Sequence, residues 1–100
     1  MRYDDKVVIV TGGTRGIGAG CVRAFAEAGA TVVFCSQHAG EGDALAAELS
    51  ARGPGEAHFL ACDVSDVAQL RQLIDATVGR FGRIDCLVNN AGWHPPHLPI

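Results

Sequence analysis

The chain has little of what several large classes of protein require. Its eight Lys and Arg residues are scattered over 100 positions and the formal net charge is −3, so no basic patch exists to meet nucleic acid or an anionic membrane surface. Nowhere do about 18 apolar residues run together, the length a spanning helix needs. The opening Met1-Arg2-Tyr3-Asp4-Asp5-Lys6 is too acidic, and the apolar run after it too short, for a secretory signal. The four cysteines, Cys21, Cys35, Cys62 and Cys86, form no CxxC pair and each sits in an apolar segment. That spacing argues against a zinc site or a disulfide framework and for reduced core residues, although adjacent strand ends could bring Cys35 and Cys62 together. His94 and His97 flank two prolines with no acidic partner, a poor chelate, so no metal is expected. Tyrosine and lysine occur once each, as Tyr3 and Lys6, and serine only at Ser36, Ser50 and Ser65. What is left is 48% hydrophobic and 19% charged, the composition of one globular unit, expected to be soluble and cytoplasmic.

Apolar patterning divides the chain into seven alternating segments. Val7 to Thr11 is a continuous β-branched run, Gly16 to Ala28 carries apolar residues at Ile17, Cys21, Phe25 and Ala28 in helical spacing up to Gly29, and Thr31 to Cys35 is again β-rich. Glu41 to Arg52 reads as an alanine-rich helix ended by Gly53-Pro54-Gly55, and Ala57 to Cys62 as a third strand. Ser65 or Asp66 caps a helix whose expected apolar face is Val67, Leu70, Ile74, Val78 and Phe81, closed by Gly82. Ile84 to Val88 is the fourth strand, running into Asn89-Asn90-Ala91-Gly92. Such alternation predicts an α/β fold, a doubly wound parallel sheet, because parallel neighbours need a crossover helix between them. Ligands of such sheets bind at the carboxyl ends of the strands.

One of those ends is TGGTRGIG, residues 11 to 18. A glycine-rich turn between a buried strand and a helix brings free N–H groups and the positive end of the helix dipole to an anion, with no Cβ in the way. By analogy with the dinucleotide turn, Gly12 allows the sharp bend, Gly16 the close approach of a pyrophosphate and Gly18 the packing of helix on strand. The spacing is TGxxxGxG; it is neither GxGxxG nor a P-loop, since no GK[ST] follows. The plainer alternative is a connection that merely needs positive φ.

TGxxxGxG at 11 to 18, Asp63-Val64 after the third strand and NNAG at 89 to 92, in that order, resemble the short-chain dehydrogenase/reductase superfamily. Arg2-Tyr3, Gly18-Ala19-Gly20, Val22-Arg23-Ala24-Phe25, the run from Asp85 to Gly92 and His94-Pro95-Pro96 are similar to its type-14 17β-hydroxysteroid dehydrogenases. The resemblance implies a Rossmann-type fold, of which residues 1 to 100 would be the amino-terminal βαβαβαβ portion of a single dinucleotide-binding domain, interrupted after the fourth strand. It implies that Gly12, Gly16 and Gly18 form the pyrophosphate turn, that Arg15 and Ile17 touch the cofactor, and that Asp63 and Val64 meet the adenine. Asp63 can accept from the exocyclic amine and Val64 can supply an apolar wall; the alternative for Asp63 is a capping or turn carboxylate. In the family the first two residues of NNAG tie backbones together, and the loop of Asn90, Ala91 and Gly92 lines the cofactor ribose. Asn90 is taken as the contact, with a purely structural turn as its alternative. His94, with Trp93, would face the substrate; an exposed loop is the alternative.

Two departures bear on function. NAD-using members hold the ribose 2′-OH with an acid at the end of the second strand, where this chain has Ser36-Gln37-His38. With Arg15 nearby the local physics leans to NADP, whereas the type-14 resemblance implies NAD, and the choice stays open. The family's proton-transfer group is a serine with YxxxK, and Tyr3, Lys6 and the three serines all lie ahead of the position where it belongs. The expected function is therefore the cofactor-binding half of an NAD(P)-dependent oxidoreductase interconverting a secondary alcohol and a ketone, on a hydroxysteroid or a sugar such as fucose. Its expected partners are the dinucleotide and a small alcohol or ketone, in a parent that assembles as a homotetramer. The competing readings are a catalytically inactive nucleotide-binding or regulatory fragment, and an unrelated anion-binding βαβ domain.

Overall fold

The computed structural model describes residues 3–12, 16–36 and 39–89. Seven elements alternate along it: β1 (Val7–Thr11), α1 (Gly16–Glu27), β2 (Thr31–Ser36), α2 (Ala39–Arg52), β3 (Glu56–Ala61), α3 (Val67–Phe81) and β4 (Cys86–Asn89). All strand pairings are parallel and the sheet order is β3-β2-β1-β4, the expected doubly wound arrangement. Val8 lies beside Val32 and Cys86, and Val32 beside Ala57, so side chains of equal parity line up across the sheet.

That parity divides the core into two layers. Val8, Val10, Val32, Phe34 and Ala57 face α1 and α2, meeting Val22, Ala26, Leu45 and Leu49. Ile9, Val33 and Cys35 face the opposite side, where they cluster with Cys62, just after β3, and Leu73 of α3. The central strands β1 and β2 are buried on both faces, which is why their β-branched runs carry no polar alternation. Phe34 and Phe59 add a tilted ring pair at 5.4 Å on the α2 side.

Local signals place the helix ends. Asp66 is the N-cap of α3, its carboxylate accepting from the N–H groups of Ala68 (2.9 Å) and Gln69 (3.4 Å). Gly82 ends the same helix at φ 80°, its N–H donating to the Val78 carbonyl. α1 closes in a Schellman motif: the Ala30 N–H donates to Phe25 O (3.0 Å) and Gly29 N–H to Ala26 O (3.1 Å), with Gly29 at φ 100°. At the amino end of the sheet, Asp85 accepts from the Val7 N–H (2.8 Å) and returns its own N–H to Val7 O (2.8 Å), while Arg83 holds its other oxygen at 2.6 Å.

The helix faces keep part of the expected stripes, since Cys21 and Phe25 of α1 and Leu70, Ile74 and Phe81 of α3 pack half-buried against the core, but the fully buried line runs beside them. In α1 the buried residues are Gly18, Val22 and Ala26, and Ile17 is 77% exposed. In α3 they are Leu73 and Thr77, whereas Val67 and Val78 are exposed. In α1 the small residues Gly18 and Ala26 lie on the buried line, with Cys21 and Phe25 flanking it. Thr77 is accommodated in α3 because its hydroxyl donates to the Leu73 carbonyl at 2.7 Å. β4 begins two residues later than expected, because Ile84 and Asp85 approach β1 before the ladder starts.

Candidate cofactor site

The carboxyl ends of the four strands converge on one edge, and backbone bonds join them in series. The Gly12 N–H donates to the Cys35 carbonyl at 2.8 Å, fastening the glycine turn to β2 one residue before Ser36. The Ser36 carbonyl in turn accepts from the Cys62 N–H at 3.0 Å, one residue before Asp63. On the other side, Thr11 is 3% exposed and its hydroxyl donates to Asn89 Oδ1 at 3.0 Å. Gly12, Ser36, Asp63 and Asn89 therefore sit on one contiguous rim. Asn89 bonds to a side chain, Thr11, and this partner was not legible in advance because a strand threonine carries no signal of its own.

Gly12 and Gly16 both have positive φ, 69° and 56°, so the turn uses the backbone freedom that glycine alone supplies cheaply. Among the described residues a Cβ built on Gly16 meets no atom within 4 Å outside its own turn of chain, so these residues leave the start of α1 open. No acidic residue occupies the first turn of that helix, and its leading N–H groups lack a built-in anion. Gly18, next on the same helix, is buried against the sheet, and Ile17 projects from the rim.

Asp63 is partly committed to local structure. Its Oδ1 accepts from the Ser65 N–H (3.0 Å) and hydroxyl (2.6 Å), and its own N–H donates to Gln69 Oε1 (2.9 Å). This is the turn role weighed against the adenine contact, and it holds the carboxylate at a fixed place beside half-buried Val64. Ser36 is buried at the β2 end. Arg15, Asn90, Ala91, Gly92, Trp93 and His94 lie outside the described residues.

Beneath the rim Cys35 and Cys62 lie in one buried cluster, as adjacent strand ends allow. Burial pushes Cys35 up to about 12, with the neighbouring Cys62 adding to the rise and the Gly12 N–H opposing it. Burial also raises Cys62. Both stay protonated near neutral pH, which makes them packing groups and not nucleophiles. Among the described residues no group of three or more His, Cys, Asp or Glu side chains could hold a metal ion, and no helix is long and apolar enough to cross a membrane.

The arrangement fits a dinucleotide phosphate: an open, acid-free helix start behind two positive-φ glycines, flanked by the ends of β2 and β3. Comparison with known proteins agrees. The short chain dehydrogenase family matches residues 6–98. The L-fucose dehydrogenase of Bos taurus is 57% identical over 95 residues, covering 95% of this chain and 33% of that protein. The crystal structure of a glucose dehydrogenase of Caenorhabditis elegans superposes with a TM-score of 0.84 at 34% identity, over 94% of this chain and 40% of that one. A hydroxysteroid dehydrogenase from Escherichia coli gives 0.86 at 35% identity, over 98% and 43%. The chain spans about a third of the length of the curated relatives it matches. With the glycine turn, the parallel sheet and a family match over nearly its whole length, the chain belongs to the short chain dehydrogenase family.

Proposed function

We propose that this chain is the amino-terminal portion of the dinucleotide-binding domain of an NAD(P)-dependent oxidoreductase that interconverts a secondary alcohol and a ketone. The observation that carries the reading is the start of α1, where the described residues leave Gly16, at φ 56°, open and no acid occupies the first helical turn. In this reading the backbone at Gly12 and Gly16 receives the pyrophosphate and Gly18 keeps α1 close to the sheet. Ser36 stands beside the adenosine ribose, Asp63 and Val64 beside the adenine, and Ile17 supplies an apolar contact at the rim. Arg15, Asn90, Ala91 and Gly92 complete the cofactor contacts, and His94 faces the substrate. The nicotinamide, when bound, supplies the hydride chemistry; these residues bind and orient it.

A sugar or polyol hydroxyl is the favoured substrate class, supported by the names of the L-fucose and glucose dehydrogenases to which the chain is similar. A hydroxysteroid, as in the type-14 17β-hydroxysteroid dehydrogenases, is the second, supported by the likeness to a hydroxysteroid dehydrogenase. The parent is taken to be a cytoplasmic homotetramer. Ser36 brings no carboxylate to the 2′ position and leaves NAD and NADP both admissible.

Calorimetric titration of the purified chain with NAD⁺ and NADP⁺ tests this. Saturable binding that disappears in Gly16→Val is expected, and a loss confined to NADP⁺ in Arg15→Ala would assign the preference. Absence of binding by a folded chain, and by the longer enzyme that contains it, would overturn the proposal.

A further inference from the structure

The lateral edge of the sheet at β3 is separate from the cofactor rim and owes nothing to it. β3 is the last strand on its side. The Glu56 N–H donates to Ala30 O (3.1 Å) and the Cys62 N–H to Ser36 O (3.0 Å), so even-numbered amides point at β2 and those of Ala57, Phe59 and Ala61 point away. Ala57 is capped from α2: Ser50 Oγ accepts from its N–H and donates to its carbonyl, both at 3.1 Å. Phe59 and Ala61 have no such cap among the described residues. Two outward donors and two outward acceptors are therefore available in a strand, EAHFLA, that carries neither lysine nor proline to blunt it.

The helices flanking this edge turn it into a groove of about 280 Å³. Ala46 stands on the α2 side, and Ala76, Thr77 and Phe81 on the α3 side. The charge of the groove is specific. The Arg80 guanidinium lies 5.2 Å from the Phe81 ring centre and has no carboxylate partner among the described residues. The nearby acid, Glu56, is engaged by His58 at 2.8 Å, and the His58 ring rests 5.3 Å from Phe81. The groove thus offers backbone pairing, an apolar wall and one uncompensated positive charge.

We propose that the Phe59–Ala61 edge of β3 is a strand-addition site for an extended acidic peptide, which pairs with the outward backbone groups and sets a carboxylate against Arg80 and an apolar side chain against Phe81. Charge complementarity selects an acidic peptide over other occupants, and the alternation of an extended chain puts the two anchors two residues apart on the α3 side.

The test is selection of a displayed random heptapeptide library on the purified chain, with the selected sequence resynthesised and its affinity read by fluorescence polarisation. The expected consensus alternates apolar residues with Asp or Glu. Ala61→Pro removes one outward N–H without touching the β2 ladder and is expected to weaken binding by about tenfold or more. Arg80→Glu, at an exposed helix position, is expected to weaken the acidic peptide similarly and to favour its Lys-substituted form. N-methylation of the peptide amides that face β3 is expected to abolish binding, and methylation of the alternate amides to leave it. That scan decides the question if Ala61→Pro fails to fold by circular dichroism. No enriched sequence, binding indifferent to the methylation pattern, or a dimer in sedimentation that Ala61→Pro dissociates would each overturn the proposal, the last in favour of a second copy of the chain.

Discussion

Replacing Gly16 by alanine separates the cost of the turn's shape from the cost of obstructing whatever lies against it. The residue has φ 56°, and an L side chain in the left-handed region costs about 1–2 kcal/mol. Among the described residues a Cβ at this position would meet no atom within 4 Å outside its own turn of chain, so no clash with them adds to that figure and the variant should fold. The space they leave is not free once a pyrophosphate is bound. A methyl group there prevents close approach of the phosphate to the leading N–H groups of α1. Losing one charge-assisted hydrogen bond, about 1.5–3 kcal/mol, and a share of the helix-terminus attraction, about 0.3–1 kcal/mol, gives about 2–4 kcal/mol. That corresponds to a fall in dinucleotide affinity of roughly 30- to 1,000-fold. Titration calorimetry measures the affinity and a thermal melt the stability, each on the same preparation. Affinity within about twofold of the parent, in a variant that melts a few degrees lower, would mean that the ligand does not touch the turn.

Four further outcomes are expected. Thr11→Val removes the hydroxyl that donates to Asn89 Oδ1 at 3.0 Å and should cost about 1 kcal/mol in a denaturant melt, with a several-fold weaker cofactor if Asn89 orients the residues after it. Gly42→Ala places a Cβ into the Phe59 ring; overpacking of about 1–3 kcal/mol exceeds a helix-propensity gain of about 1 kcal/mol, so the variant is destabilised. Gly40→Ala, in the same helix with open space around it, should be stabilised instead. The pKa of Asp85 is lowered by Arg83 first and by the Val7 N–H second. The stabilisation is therefore fully present above the unfolded value near 3.8 and is lost as pH falls through the lower folded value. Asp85→Asn should flatten that part of the acid limb in a series of melts.

The fold was legible where burial is complete and the site only where geometry is local. β1 and β2 announce themselves because both faces are covered and their central positions, 7 to 10 and 32 to 35, are apolar throughout, and Asp66 and Gly82 mark α3 because caps are properties of single residues. The helix faces were legible in part: Cys21 and Phe25 of α1 and Leu70, Ile74 and Phe81 of α3 do pack against the core, but counting large apolar residues overlooks the fully buried Gly18 and Ala26 of α1. The buried Thr77 was illegible for a different reason, since its self-contained hydrogen bond lets a polar residue sit on the buried line of α3. On the rim, the glycine turn could be read from spacing, but the Thr11–Asn89 bond joins residues 78 positions apart and depends on the β1–β4 register.

Ser50 shows how the carboxyl border of this sheet and its β3 border follow different logic. At the carboxyl border, the open backbone groups are those of a helix start, which backbone bonds from Gly12 to Cys35 and from Cys62 to Ser36 hold at a fixed place without filling it. At the β3 border a single hydroxyl fills one pair of outward groups and leaves the next two residues open. If that edge were merely an unprotected end, nothing would distinguish Phe59 and Ala61 from Ala57, and Ser50→Ala would only loosen α2 from β3. If the edge receives a strand, Ser50→Ala extends the pairing surface by one residue pair. Peptide affinity should then rise even as stability falls by about 1 kcal/mol, the balance of two lost hydrogen bonds against better helix propensity. A fall in both quantities together would mean that Ser50 shapes the groove and does not limit it.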